Sequence, residues 1–238
     1  MDITTRLSHH RLAAVFWLAV ASALSVSIVA ARMLWMHSMG YRFLLWNLFL
    51  AWLPLVFALL AERTRGLTAV AWGAAWLLFF PNAPYLVTDL VHLHSRNTWM
   101  YWVDLIMLLS FGLTGMLLGY LSLYTIQKRL AQKLGPVVSW VCSLGMLALC
   151  SFGIYLGRIG RFNSWDVFLN PLSLLSDIWQ VIRHPFGNWE VYVMSGLLTA
   201  FLIVMYVALH VFARPTMPER NASARAIESG QGTFSKPT

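Results

Sequence analysis

Asp89, His92 and Arg96 stand at positions i, i+3 and i+7, a spacing that places side chains on one face of a helix. An acid and an imidazole three residues apart suit a proton donor–acceptor pair or two ligands of a metal ion. His94 follows on another side and no third well-placed ligand accompanies them, so no metal is assigned. The plain alternative is a helix whose polar face meets water, with Asp89 near the positive helix start. Asp104 adds a second carboxylate on the same side of the molecule. Its own plain reading is again a helix start. A carboxylate at membrane depth is costly, however, unless it is used or paired.

A second group runs from Gly153 to Asp166. Arg158 and Arg161 share a face if the helix continues through them, and two guanidiniums can hold a carboxylate or phosphate, including a lipid head group. Alternatively they pair with Asp89 and Asp104 and hold the bundle together. Asn163 and Asp166 follow as supporting polar groups, and Asn47 and Asn82 stand earlier in the chain. An intramembrane Asn ordinarily bonds across helices, which makes Asn47 structural in its plain reading. No GxSxG, HExxH, phosphate-binding glycine loop or CxxC pattern occurs, so the usual signatures of hydrolases, zinc proteases and nucleotide enzymes are missing. The cofactor is therefore left unknown.

The elements that must position these residues are membrane spans. Of 238 residues, 59% are hydrophobic and 11% charged, against about 25% charged in soluble proteins. A soluble domain of this size has too little interior to hide that much apolar surface. The net charge of +8 is not a nucleic-acid footprint, because the basic residues sit in short loops between apolar runs rather than in a stripe. Trp17, Trp35, Trp72, Trp99 and Trp102 lie near span ends, as an interfacial aromatic belt does. Cys142 and Cys150 fall on one helix about 12 Å apart, too far to bridge.

Six apolar segments are expected, at Leu12–Ala31, Tyr41–Ala61, Leu67–Phe80, Tyr101–Ile126, Pro136–Gly157 and Val191–Ala213. The first is too long for a signal-peptide core and reads as an uncleaved span. The third makes only about 21 Å of helix before Pro81-Asn82-Ala83-Pro84, short of a bilayer core of roughly 30 Å. It therefore reads as a short, broken helix whose break faces protein or an aqueous cavity. Pro54 reads as a kink in the second span. Gly112, Gly115, Gly119 and Ser122 form a small-residue packing seam in the fourth. The fold class is all-α, a polytopic membrane helix bundle with about six transmembrane helices. Residues 1–11 form a cytoplasmic N-terminus and 12–213 the transmembrane domain. An amphipathic helix near 171–184, with Leu172, Leu175, Ile178, Trp179 and Ile182 on one stripe, lies on the outer surface. Residues 214–238 read as a disordered cytoplasmic tail, in which the Asn221-Ala222-Ser223 sequon is a chance match.

Loop charges set the orientation. With the N-terminus inside, Arg6, Arg11, Arg63, Arg65, Lys128, Arg129, Lys133, Arg214, Arg220, Arg225 and Lys236 are cytoplasmic, eleven in all. Arg32, Arg42, Arg96, Arg158, Arg161 and Arg183 make six on the other side. Positive-inside bias favours both termini in the cytoplasm.

Three stretches resemble a bacterial membrane-protein family catalogued as domain of unknown function 1361: Arg42 to Pro54, Phe80 to Leu93 and Gly153 to Asp166. The Pro-Asn-Ala-Pro-Tyr run is the specific part. Where that family often has Tyr before the fourth-span Asp, this chain has Val103. The resemblance implies a multi-spanning protein of a bacterial inner membrane and brings no activity with it.

Together these readings put a site at the outer mouth of the bundle, with Asp89, His92 and Asp104 as catalytic candidates. Arg158 and Arg161 are its anion-binding groups, supported by Asn47, Asn82, Asn163 and Asp166. The partners expected are the lipid bilayer and an anionic lipid or envelope substrate. A membrane enzyme, a transporter using the broken third helix, and a non-catalytic structural or assembly protein are the three open functions. The inner halves of the spans are nearly all apolar, which disfavours transport.

Overall fold

The computed structural model describes residues 3–93, 98–160 and 169–212, with side chains from Arg11 onward. The described chain is helical throughout: α1 (Ile3–Met36), α2 (Phe43–Arg63), α3 (Gly66–Phe79), α4 (Asn82–Thr88), a 3-10 turn (Asp89–His92), α5 (Thr98–Leu134), α6 (Pro136–Arg158), α7 (Pro171–Arg183) and α8 (Trp189–Phe212). Six segments are long and apolar enough to cross a membrane: Arg11–Met36, Phe43–Arg63, Gly66–His92, Thr98–Leu134, Pro136–Arg158 and Trp189–Phe212. The protein is a multi-pass membrane helix bundle.

Two helices outrun their apolar segments. α1 continues past Ala31 to Met36 and carries Arg32 within the helix. α5 extends from Thr98 to Leu134, roughly 55 Å. Helical hydrogen bonding needs no apolar side chain, so a helix stops at a terminator rather than where hydropathy falls. For α5 that terminator is Gly135, at φ 86°, a conformation that favours glycine. Pro136 opens α6 immediately after it, where a missing N–H costs nothing.

α5 is the central element. Of its apolar window 61% is buried, against 17% for α1 and 33% for α6. Leu44, Leu48, Ala51 and Leu55 of α2 meet Ala83 and Leu86 of α4 and Met107, Leu108, Phe111 and Leu118 of α5 in one core. α2 runs unbroken through Pro54, which is itself buried. Across the bundle, the Trp52 indole donates to Ser22 Oγ (3.1 Å) and the Trp76 indole to Ser122 Oγ (3.1 Å). Outward-facing residues such as Leu45, Phe49, Leu113 and Val141 are exposed, as lipid-facing positions are.

The third span is interrupted only at Phe80–Pro81. Both residues keep right-handed helical backbone angles, so the chain goes on as helix, with the bend that an interior proline imposes. Regular helix would have Ala83 N–H bond to the Phe79 carbonyl, but it bonds to Phe80 O instead (3.2 Å). The Asn82 side-chain amide then donates to the vacated Phe79 O (2.9 Å). Pro84 sits in the first turn of α4, where its absent N–H has no intrahelical partner to lose. The two prolines therefore redirect the helix without leaving it unwound.

Small residues seat this bend. A Cβ on Gly115 would strike the Ala83 carbonyl oxygen and lie 2.6 Å from Leu86 Cδ1, and one on Gly153 would lie 2.8 Å from Pro81 Cγ. Gly112 and Gly119 approach Val87 and Ala83. The glycine seam of α5 is thus the bed of α4.

α7 starts with Pro171 at its first position. Its apolar stripe, Leu172, Leu175, Trp179 and Ile182, faces outward, while Val181 is buried and its carbonyl accepts from the Tyr192 hydroxyl (3.0 Å). Among the described residues, those up to Ala200 fall in one compact unit and Phe201 to Phe212 in a second. In the second, the Tyr206 and His210 rings pack with centroids 6.1 Å apart.

Candidate functional site

The bend turns one face of α4 and its 3-10 extension toward α6. Tyr85, Thr88, Asp89 and His92 lie at i, i+3, i+4 and i+7 on that face. Because Pro81 sits against Gly153, the last turn of α6 lies beside them and Arg158 reaches all four. Its Nη2 donates to Asp89 Oδ1 (2.6 Å) and to Thr88 Oγ1 (2.7 Å), and its Nε also donates to Thr88 Oγ1 (3.2 Å). Nη1 meets His92 Nε2 at 3.1 Å, and the guanidinium carbon stands 4.4 Å from the Tyr85 ring centroid. A guanidinium only donates. In this geometry His92 Nε2 is therefore the acceptor, and the ring hydrogen sits on Nδ1. The remaining Asp89 oxygen, Oδ2, accepts from the Asn47 side-chain amide (3.0 Å).

Asp104 is built the same way from other elements. Arg32 of α1 grips it with two bonds, Nε to Oδ1 (2.8 Å) and Nη2 to Oδ2 (3.2 Å), and lies over the Tyr41 ring at 4.4 Å. The Tyr41 hydroxyl lies 3.3 Å from Asp104 Oδ2 and 3.1 Å from the His92 carbonyl oxygen. A hydroxyl has one hydrogen, so it donates to one of these at a time. Burial, reinforced by the Asp104 carboxylate and opposed by Arg32, raises the Tyr41 phenol above its ordinary pKa. The phenol consequently serves as a neutral donor.

Each half thus holds one Asp, one Arg stacked on a Tyr, and one neutral donor, and Tyr41 links the halves through His92. Asp89 and Asp104 are buried. Taking such charges out of water is costly unless the lone pairs are filled as well as the charge balanced. At both carboxylates each oxygen accepts a hydrogen bond and an arginine balances the charge. His92 and Arg158 differ, since His92 is exposed and Arg158 half-buried. The cluster therefore grades from a buried anion through a partly exposed cation to an exposed imidazole.

Of the residues singled out by sequence, Asp89, His92, Arg158 and Asn47 converge directly. Asp104 joins them through Tyr41. Asn82 serves the bend. Arg161, Asn163, Asp166, His94 and Arg96 lie outside the described residues. The 3-10 turn ends at His92, and Leu93 after it has an extended ψ of 91°. One expectation is corrected. Asp104 is not in the first turn of its helix, because α5 begins at Thr98. A dipole effect fades beyond that turn, and Arg32 is the partner instead.

Arg32, Tyr41, Tyr85 and Thr88 escaped the sequence reading. Tyr85 and Thr88 were recoverable by extending the Asp89–His92 face one turn back. Arg32 carried a fainter signal, an arginine directly against the end of an apolar run. Among the described residues, no three His, Cys, Asp or Glu side chains lie close enough to hold a metal ion.

No curated protein and no solved structure matches the chain. A family match does exist, and it spans α2 to α8, from just before Asn47 to beyond Arg158. Over residues 46–205 the chain matches, and so belongs to, the family described as protein of unknown function (DUF1361).

Proposed function

We propose that the chain is a membrane enzyme acting on a lipid-linked or envelope substrate, with the Asp89–Arg158–His92 cluster as a one-sided site. The observation that carries this reading is the position of Arg158. Asp89 and Thr88 hold the guanidinium from beneath, while Nη1 is presented at the exposed His92. A cation fixed by a buried carboxylate is preorganised for an incoming anionic group. When Nη1 turns to that group, His92 Nε2 is released to accept a proton. Asp104, Arg32 and Tyr41 position His92 through its backbone carbonyl. On the charge bias of the loops, this end of the bundle faces outward and both termini face the cytoplasm.

A second reading, a non-catalytic assembly protein, draws on the pairing of both carboxylates. It makes the cluster a clasp joining α1, α2, α4, α5 and α6. Transport fits less well, since core serines such as Ser22, Ser25, Ser143 and Ser151 bond to carbonyls of their own helices rather than lining a route.

The separating experiment uses H92Q in a strain lacking the gene. Lipid and envelope-precursor profiles are compared after complementation with wild type or variant, alongside yield and thermal stability of the purified protein. Enzyme action predicts that folded H92Q fails to restore the wild-type profile. Full restoration by H92Q would leave the clasp reading standing.

A further inference from the structure

At the opposite end of the bundle, where α2 ends and the long α5 overhangs, a cavity of about 370 Å³ opens among Glu62, Thr64, Arg65, Lys128, Arg129 and Lys133. Its charge is unbalanced. Glu62 is its one acid, and both Glu62 oxygens are taken by Arg11. Among the described residues no carboxylate pairs with Arg65, Lys128, Arg129 or Lys133. Arg129 is oriented by donating from Nη2 to the Thr64 carbonyl (2.8 Å), while its Nη1 is buried with no hydrogen-bond partner. Arg65 is also the residue before α3, whose start has no side-chain cap, so the positive end of that helix adds to the field.

We infer that this cavity is a binding site for a phosphate group, held by the cations of Arg65, Lys128, Arg129 and Lys133. It lies where α2 ends and its apolar residues give way to charge, the level at which phospholipid head groups sit. An anionic phospholipid and a soluble phosphate offer the same chemistry, and the volume accommodates either. The inference is independent of the Asp89–Arg158–His92 reading, since the two sites are at opposite ends and share no residue.

The test uses the full-length protein in detergent, observed by native mass spectrometry with phosphatidylglycerol or phosphatidylcholine added, and with inorganic phosphate as competitor. Wild type is expected to retain phosphatidylglycerol in preference to phosphatidylcholine. R65Q/K133Q alters two exposed residues that bear no core contact, and is expected to bind phosphatidylglycerol roughly thirtyfold more weakly, at about fivefold per basic group. Wild type and variant are compared at equal monodispersity and melting temperature. Displacement of the lipid by millimolar phosphate, or phosphate binding without lipid retention, assigns the site to soluble phosphate. Equal retention of both lipids by wild type and variant, with no phosphate binding, overturns the inference.

Discussion

Arg158 and Asp89 are 69 residues apart in the chain and 2.6 Å apart in space, with the carboxylate fully buried. Their contact joins the end of α6 to the 3-10 turn after the bent third span. It depends on Gly153 having no side chain where Pro81 packs.

Breaking this pair from one side is expected to be far worse than removing it whole. D89A leaves Arg158 without its carboxylate and should cost about 3–5 kcal/mol. R158L/D89L should recover much of that loss, since apolar replacement of a buried pair is often near neutral. A double-mutant cycle measured by reversible unfolding in mixed micelles checks this. Additive single effects would rule out direct coupling.

Asp104 should respond similarly through Arg32. D104N keeps a side chain of similar shape but loses the two-bond ionic grip, and a loss of about 2–3 kcal/mol follows from charge-assisted hydrogen bonds of this kind. Y41F removes a single neutral donor and should cost about 1 kcal/mol. Melting temperatures in one detergent rank the variants. Y41F more damaging than D104N would contradict the assigned geometry.

The glycine seam makes a sharp contrast between two identical substitutions. G115A places a methyl against the backbone carbonyl of Ala83 and should destabilise by about 1–3 kcal/mol. G145A enters open space and should be neutral or stabilise by up to about 1 kcal/mol. Thermal stability of the two proteins decides it.

Orientation is checked with alkaline phosphatase fusions, active only outside the cytoplasm. A fusion after Gln132, in the last turn of α5, is expected to be inactive, and one after Ser38, between α1 and α2, active. The reverse pattern would invert the bundle and place the His92 end in the cytoplasm.

The sequence alone determined the class of the protein and most of its spans. Apolar runs of bilayer length have no other stable setting, and their period and length survive any packing arrangement. It also marked Pro81 to Pro84 as a defect and the α5 glycines as a seam, because proline and glycine act through the local backbone. Asp89, His92, Arg158 and Asn47 were legible as rare polar groups in apolar surroundings, where such groups must find partners. Which partner each would find was not legible. Arg32 read as a loop charge until α1 ran on past Ala31, and Tyr41 read only as the first residue of the second apolar segment. Only the tertiary structure paired Arg158 with Asp89 and Arg32 with Asp104. Pairing depends on how close and in what direction two helices approach, and for Arg158 and Asp89 that approach is seated on Gly115 and Gly153.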